Sequence, residues 1–171
     1  MSQAGGWRLA WWALAIALTA AIVGAAALGG WQTQVKSRQP PPVANQAADR
    51  QAATQAASTG TAKILTYSPD NLDQDFAAAE AMLTGDFLTY YKQFTSQTVR
   101  PAAEQKRVTT TASVVGAGVE SLTSEQAAIL VFVNQTTTSQ DKPAPTTASS
   151  SVQVGLAKVN GTWLIDRFDP L

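Results

Sequence analysis

Twelve carboxylates, three tyrosines and twelve lysines and arginines are all the ionisable side chains this 171-residue chain offers for chemistry. It contains no histidine and no cysteine. The usual proton shuttle near neutral pH is therefore missing, and so are thiolate nucleophiles and disulfides. A Ser-His-Asp triad and any His-containing zinc site are ruled out. Acid–base work would fall to Asp73, Asp75, Asp86, Glu120, Glu125, Asp166, Asp169 or Tyr90. Asp166 has the most interesting setting, because strand alternation puts it on the side of Leu164 and Phe168. A carboxyl in an apolar pocket holds its proton longer and can serve as a base. A solvated or arginine-paired Asp166 fits the same spacing and is the plainer reading. Asp73 and Asp75 open a helical pattern, where acids complement the helix dipole. Tyr90, Tyr91 and Phe94 share a helical stripe that either lines a lipid or steroid cavity or fills a core. Trp163 joins these four as a pocket or interface residue. Catalytic, cofactor-binding and metal-binding residues are expected to be absent.

The elements that would position these groups follow from periodicity. Leu9 to Gly30 carries no charge and spans ~33 Å as a helix, with tryptophans at both ends, the pattern of a membrane span. An uncleaved anchor fits its length better than a signal peptide, whose apolar core runs to roughly 7–15 residues. The expected organisation is a cytoplasmic N-terminus over residues 1–8, a membrane helix over 9–30, a linker and helical stalk over 31–62, and an extracytoplasmic domain over 63–171. Pro40 to Pro42 favour an extended spacer. The alanine- and glutamine-rich stretch from Val43 to Leu65 reads as a mostly exposed helix, with Ile64, Leu65 and Tyr67 docking on the domain.

Asn71 with Gln74 resembles a capping box. Leu72, Phe76, Ala79 and Leu83 then form an apolar stripe, with Gly85 as its stop and Asp86 as cap of the next helix. A further helical stretch follows Pro101. Past Arg107 the period changes to that of strands. "VTTTASVVGAGVES" is the first strand; "AAILVFVNQTTTS" is the second, its unbroken run Ile129 to Val133 suggesting burial on both faces. "DKPAPTT" reads as a loop, "SSSVQVGLAKV" and "TWLIDRFD" as a third and a fourth strand. Asn160-Gly161 between these is a type I′ hairpin signal, and it pairs Leu156 with Ile165 and Lys158 with Trp163. Helices followed by a meander of about four antiparallel strands make an α+β layer. Past Arg38, nine basic residues face twelve acidic ones, so no basic stripe exists for nucleic acid.

Three stretches, "AAAEAMLTGDFLTYYKQFTSQTVRPAAEQKRV", "LVFVNQTTTSQ" and "GTWLIDRFDPL", together resemble the mammalian-cell-entry (Mce) associated membrane proteins of actinobacteria. The resemblance covers roughly residues 60 to 171. It implies a nuclear transport factor 2-like, or SnoaL-like, cone of helices on a curved antiparallel sheet. It also implies a cytoplasmic N-terminus, an outer domain, and a non-enzymatic accessory role in Mce complexes that import lipids or sterols. The implied partners are Mce subunits or other envelope proteins, the membrane through one helix, and a lipid or sterol; a homo-oligomer is compatible. Similar single-span cone domains help assemble type IV secretion channels, and a lipid-carrying cone is a further alternative.

Overall fold

The structure, a computed structural model, describes residues 47–171. The expected N-terminus, membrane span and proline spacer lie outside the described residues. Within them, no helix is long and apolar enough to cross a membrane. Helix α1 (Ala47–Ile64) leads, followed by α2 (Leu72–Glu80), α3 (Gly85–Phe94), a π-turn (Thr95–Val99) and α4 (Arg100–Lys106). Strands β1 (Thr109–Leu122), β2 (Gln126–Ser139), β3 (Lys142–Val159) and β4 (Thr162–Pro170) follow. They form one antiparallel sheet in the order β1-β2-β3-β4, with the helices on one face. The α+β order expected from the sequence is the order of the fold.

Helix α1 differs from the exposed stalk that its composition suggests. Ala53, Ala57, Gly60, Thr61 and Ile64 are buried. Their spacing is a helical stripe made of small residues, and small residues let a helix backbone come close to a sheet. Gly60 shows how close: a Cβ there would run into the Ile165 side chain. The expected boundary at residue 62 therefore falls inside a helix that belongs to the core.

Other helix ends also depart from expectation. Asn71 occupies the N-cap of α2 without a side-chain cap bond. Asp75 instead reaches back to accept the Ser68 N–H at 2.9 Å. Gly85, at φ +60°, opens α3 rather than closing α2. From there the chain stays helical to Lys106. The π-turn widens the helix just before Pro101, and the Arg100 N–H bonds to the Thr95 carbonyl five residues back.

The β3–β4 hairpin has the expected register, Leu156 opposite Ile165 and Lys158 opposite Trp163. Asn160 and Gly161 both take positive φ, 51° and 83°, as a type I′ turn requires. The expected loop over 141–147 is instead strand: β3 starts at Lys142. Pro143 and Pro145 are tolerated because β4 stops at Pro170, opposite Val152, and leaves this half of β3 as an edge. The Leu171 N–H bonds to the Ser151 carbonyl, so odd-numbered residues here turn their backbone groups to the open side. Pro145 thus lacks an N–H where no ladder bond is lost, and Pro143 lies in the register shift between Thr137 and Ser139.

The core lies between the helices and one face of the sheet. Ile129, Val131, Val133, Val154, Leu156 and Ile165 are its largest fully buried apolar residues. At roughly 25 cal/mol per Å² of apolar surface, burying each stabilises the fold by about 1.5–3 kcal/mol. The Ile129–Val133 run is not buried on both faces. Odd residues point into the core, while Leu130 is half-buried and Phe132 is 46% exposed on the other side.

Candidate functional site

The aromatic stripe of α3 becomes packing. Phe87 stacks on Phe168 at 5.8 Å with 8° between ring planes. Tyr90 stacks between Phe87 and Phe94, at 6.3 and 5.8 Å. Tyr91 is buried and meets Phe76 edge-on at 6.5 Å. Burial pushes the Tyr91 phenol far above its ordinary range, and Glu80, Tyr67 and Asp75 add to the shift. Burial also raises Tyr67 and Tyr90; in Tyr67 a hydrogen bond with Thr110 works against it. A phenol held protonated in this way is no base at neutral pH.

Trp163 lies elsewhere, at the hairpin end of β4. It is 5% exposed, and its Nε1 is buried without a hydrogen-bond partner. The Lys158 ammonium sits 5.1 Å from its ring centroid and 3.3 Å from Asp49 at the start of α1. The expected cluster of Tyr90, Tyr91, Phe94, Trp163 and Asp166 is therefore not one site. Tyr90, Tyr91 and Phe94 form a single packed layer, and Trp163 and Asp166 stand apart from it on β4.

Asp166 corrects a second expectation. It is the extra residue of a β-bulge, because Gly155 pairs with Arg167 and Leu156 with Ile165. The bulge turns Phe168 to the core, opposite Val154, away from the side expected from simple alternation. The Asp166 carboxylate folds over Gly155 on the outer face, with Oδ1 2.8 Å from where a Cβ would stand. Gly155 is glycine because that space is filled.

Two more bulges fall in β1, at Val115 and Glu120. Val115 is 61% exposed. Glu120 accepts a 2.6 Å hydrogen bond from the Gln153 amide, which reaches across β2. Between these bulged residues Phe132 stands opposite Gly116 on one side and Ser151 on the other. The uncovered face of the sheet therefore shows Val115, Leu130 and Phe132, with Glu120, Asp166 and Asp169 around them. Arg167 is the basic residue here, 3.6 Å from Asp169. Sequence reading missed this face because it took the β2 run as buried throughout. The small residues at 116, 118 and 151 were the available signal that Phe132 has no covering layer.

The helical side has a cleft of about 220 Å³ between α2 and the π-turn. Its charges are matched in pairs: Arg100 to Asp73 at 2.5 Å and Lys92 to Glu80 at 3.6 Å. Arg100 also lies 5.5 Å above the Phe76 ring. Among the described residues, no three carboxylates stand close enough to hold a metal ion.

No family model matches the chain. It is similar to the outer membrane protein Rv1973 of Mycobacterium tuberculosis, 43% identical over 129 residues, covering 75% of this chain and 80% of that protein. The chain belongs to the family of Rv1973. It is also 59% identical over 120 residues to the uncharacterized protein Rv1362c of the same organism, covering 70% of this chain. The chain spans about half, 54%, of the length of Rv1362c. Among solved structures, the fold is similar to an IcmL-like type IV secretion system protein of Legionella pneumophila, with a TM-score of 0.60 and 11% identity over 72% of this chain and 94% of that one. It is likewise similar to the VirB8 protein of Agrobacterium tumefaciens, with a TM-score of 0.59 and 10% identity over 74% and 94%. At such identity the likeness concerns the fold alone.

Proposed function

We propose that the chain is a non-catalytic assembly module of the cell envelope, with its domain on the outer side and a partner envelope protein on the uncovered sheet face. The observation that carries this reading is the contrast between the two sheet faces. The inner face is filled by the protein's own side chains, whereas the outer one shows Val115 and Phe132 to solvent. The carboxylates and phenols expected to do chemistry are not gathered around a common point. The outer membrane protein Rv1973 and the fold neighbours favour an envelope setting, and the latter favour a secretion-channel assembly role over a lipid carrier.

The partner surface follows from charge. Glu120, Asp166 and Asp169 outnumber Arg167 around the apolar stripe, so the complementary segment carries an apolar row flanked by lysine or arginine. The resemblance to Mce-associated proteins keeps a second reading, in which the assembly served is an Mce-type lipid importer. A gentle-detergent pull-down of the tagged full-length protein from its native membrane, with mass spectrometry of proteins and lipids, separates these readings. Secretion-channel subunits captured by the wild type and lost in Phe132→Ser would support the first, and Mce subunits the second. A stoichiometric lipid without stable protein partners would replace both with a carrier.

A further inference from the structure

The β2–β3 hairpin outruns β4, while β1 stays paired with β2 as far as Thr138. Past Val152, β3 has no β4 beside it, and every residue from 141 to 150 is exposed. From Thr136 to Ser151 nine of sixteen residues are serine or threonine, and Pro143 and Pro145 interrupt them. Serine and threonine with interspersed proline is the composition of O-glycosylated segments. The geometry adds what composition lacks. An acceptor hydroxyl must lie on accessible, extended chain and be free to react. Thr147 Oγ1 is 3.2 Å from Thr136 Oγ1, and Ser149 donates to the Asn134 side chain at 2.7 Å. Thr146 and Ser150 have no such partner among the described residues, and both are exposed.

The open edge supplies a physical reason for a glycan. An unpaired strand edge is a template for unwanted pairing. Pro145 removes one outward donor by the register described above, but Thr147 and Ser149 keep theirs. A bulky, hydrated group at 146 would cover that remaining stretch.

We propose that this arm is an O-glycosylation site, with Thr146 as the acceptor. The inference rests on the outward placement of the domain proposed above. In the transfer, the Thr146 hydroxyl oxygen bonds to the anomeric carbon of a glycosyl phosphate donor. The bond from that carbon to the phosphate oxygen breaks, the phosphate leaves with the electron pair, and the transferring enzyme takes the hydroxyl proton. Nothing is oxidised or reduced.

The test is mass spectrometry of the full-length protein purified from its native membrane, intact and after digestion, alongside protease accessibility of the domain on whole cells. Glycosyl increments on the peptide containing Thr146, lost in T146V, are the expected result. Valine keeps the strand propensity, and an unchanged circular dichroism spectrum shows that the variant folds. A bare peptide from an accessible domain overturns the site and leaves the assembly reading standing. A bare peptide from a protease-protected domain overturns both. Phosphate at Thr146, or increments that survive T146V, also overturns the assignment.

Discussion

The two faces of the sheet are built from the same strands and obey different rules. On the inner face Ile129, Val131, Val154, Leu156 and Ile165 interlock with helices whose own contacts include alanine and glycine. On the outer face Phe132 rises between Gly116 and Ser151, and the bulges at Val115, Glu120 and Asp166 place side chains where strict alternation would not. The inner face is specified by volume. The outer face is specified by what is left off, with glycine and serine as neighbours of one aromatic ring. A face that is apolar yet uncrowded suits contact with another molecule better than self-packing.

The comparison breaks first if the inner face tolerates truncation. Ile165→Ala removes a fully buried side chain that touches the α1 stripe, and its backbone also bonds to the Met82–Thr84 segment. The expected loss is about 2–5 kcal/mol, read by chemical denaturation of the full chain in detergent. A loss below ~1 kcal/mol would mean that the helix does not depend on this contact.

Gly155→Ala comes next. The new methyl would press on Asp166 Oδ1 at 2.8 Å and on the Arg167 Cβ at 3.0 Å, so the bulge must shift or the strand must slide. The expected cost is roughly 1–3 kcal/mol. If the bulge straightens instead, Phe168 leaves the core and its stacking on Phe87 is lost, which amide exchange along β4 would report.

Most of the sheet was legible in the sequence, and the reason is local. A two-residue turn of Asn160-Gly161 fixes register, so Leu156 opposite Ile165 could be read without any tertiary information. The bulge at Asp166 could not, because it is a backbone event with no side-chain signature beyond an isolated glycine across the strand. The α1 stripe was hidden because alanine reads as helix propensity rather than as a core face. The prolines of β3 were read as a loop because their edge position depends on where β4 ends. The site was less legible than the fold: Tyr91 and Trp163 were singled out as pocket or interface residues and lie buried in the core, and which residues stay uncovered depends on the whole sheet.

Alkaline pH offers a smaller effect. Unfolded, the Tyr91 phenol ionises above about pH 10. Folded, burial holds the proton on, so the unfolded state binds fewer protons and stability falls as pH rises. The slope from this one group approaches about 1.4 kcal/mol per pH unit above pH 10. Below pH 10 its contribution is fully present. Tyr91→Phe should flatten the stability–pH curve above pH 10 relative to wild type while leaving the neutral value close to unchanged. Equal slopes in the two proteins would mean that Tyr91 meets solvent in the folded state.

The smallest expected change in stability is also the one that sharpens the comparison most. Phe132→Ser deletes a ring as large as that of Phe168, but from the other side of the same sheet. Phe132 is 46% exposed, and its Cδ2 lies 3.7 Å from where a Gly116 Cβ would stand. A cross-strand contact of this kind is worth about 0.2–1 kcal/mol, so the denaturation midpoint should move little. Phe168→Ser, which empties a stacked and buried position, should cost several-fold more. If the two substitutions cost the same, the outer face is held by packing like the inner one and has no spare surface for a partner. If Phe132→Ser is nearly silent in stability and still abolishes capture of envelope subunits, the ring serves binding rather than folding.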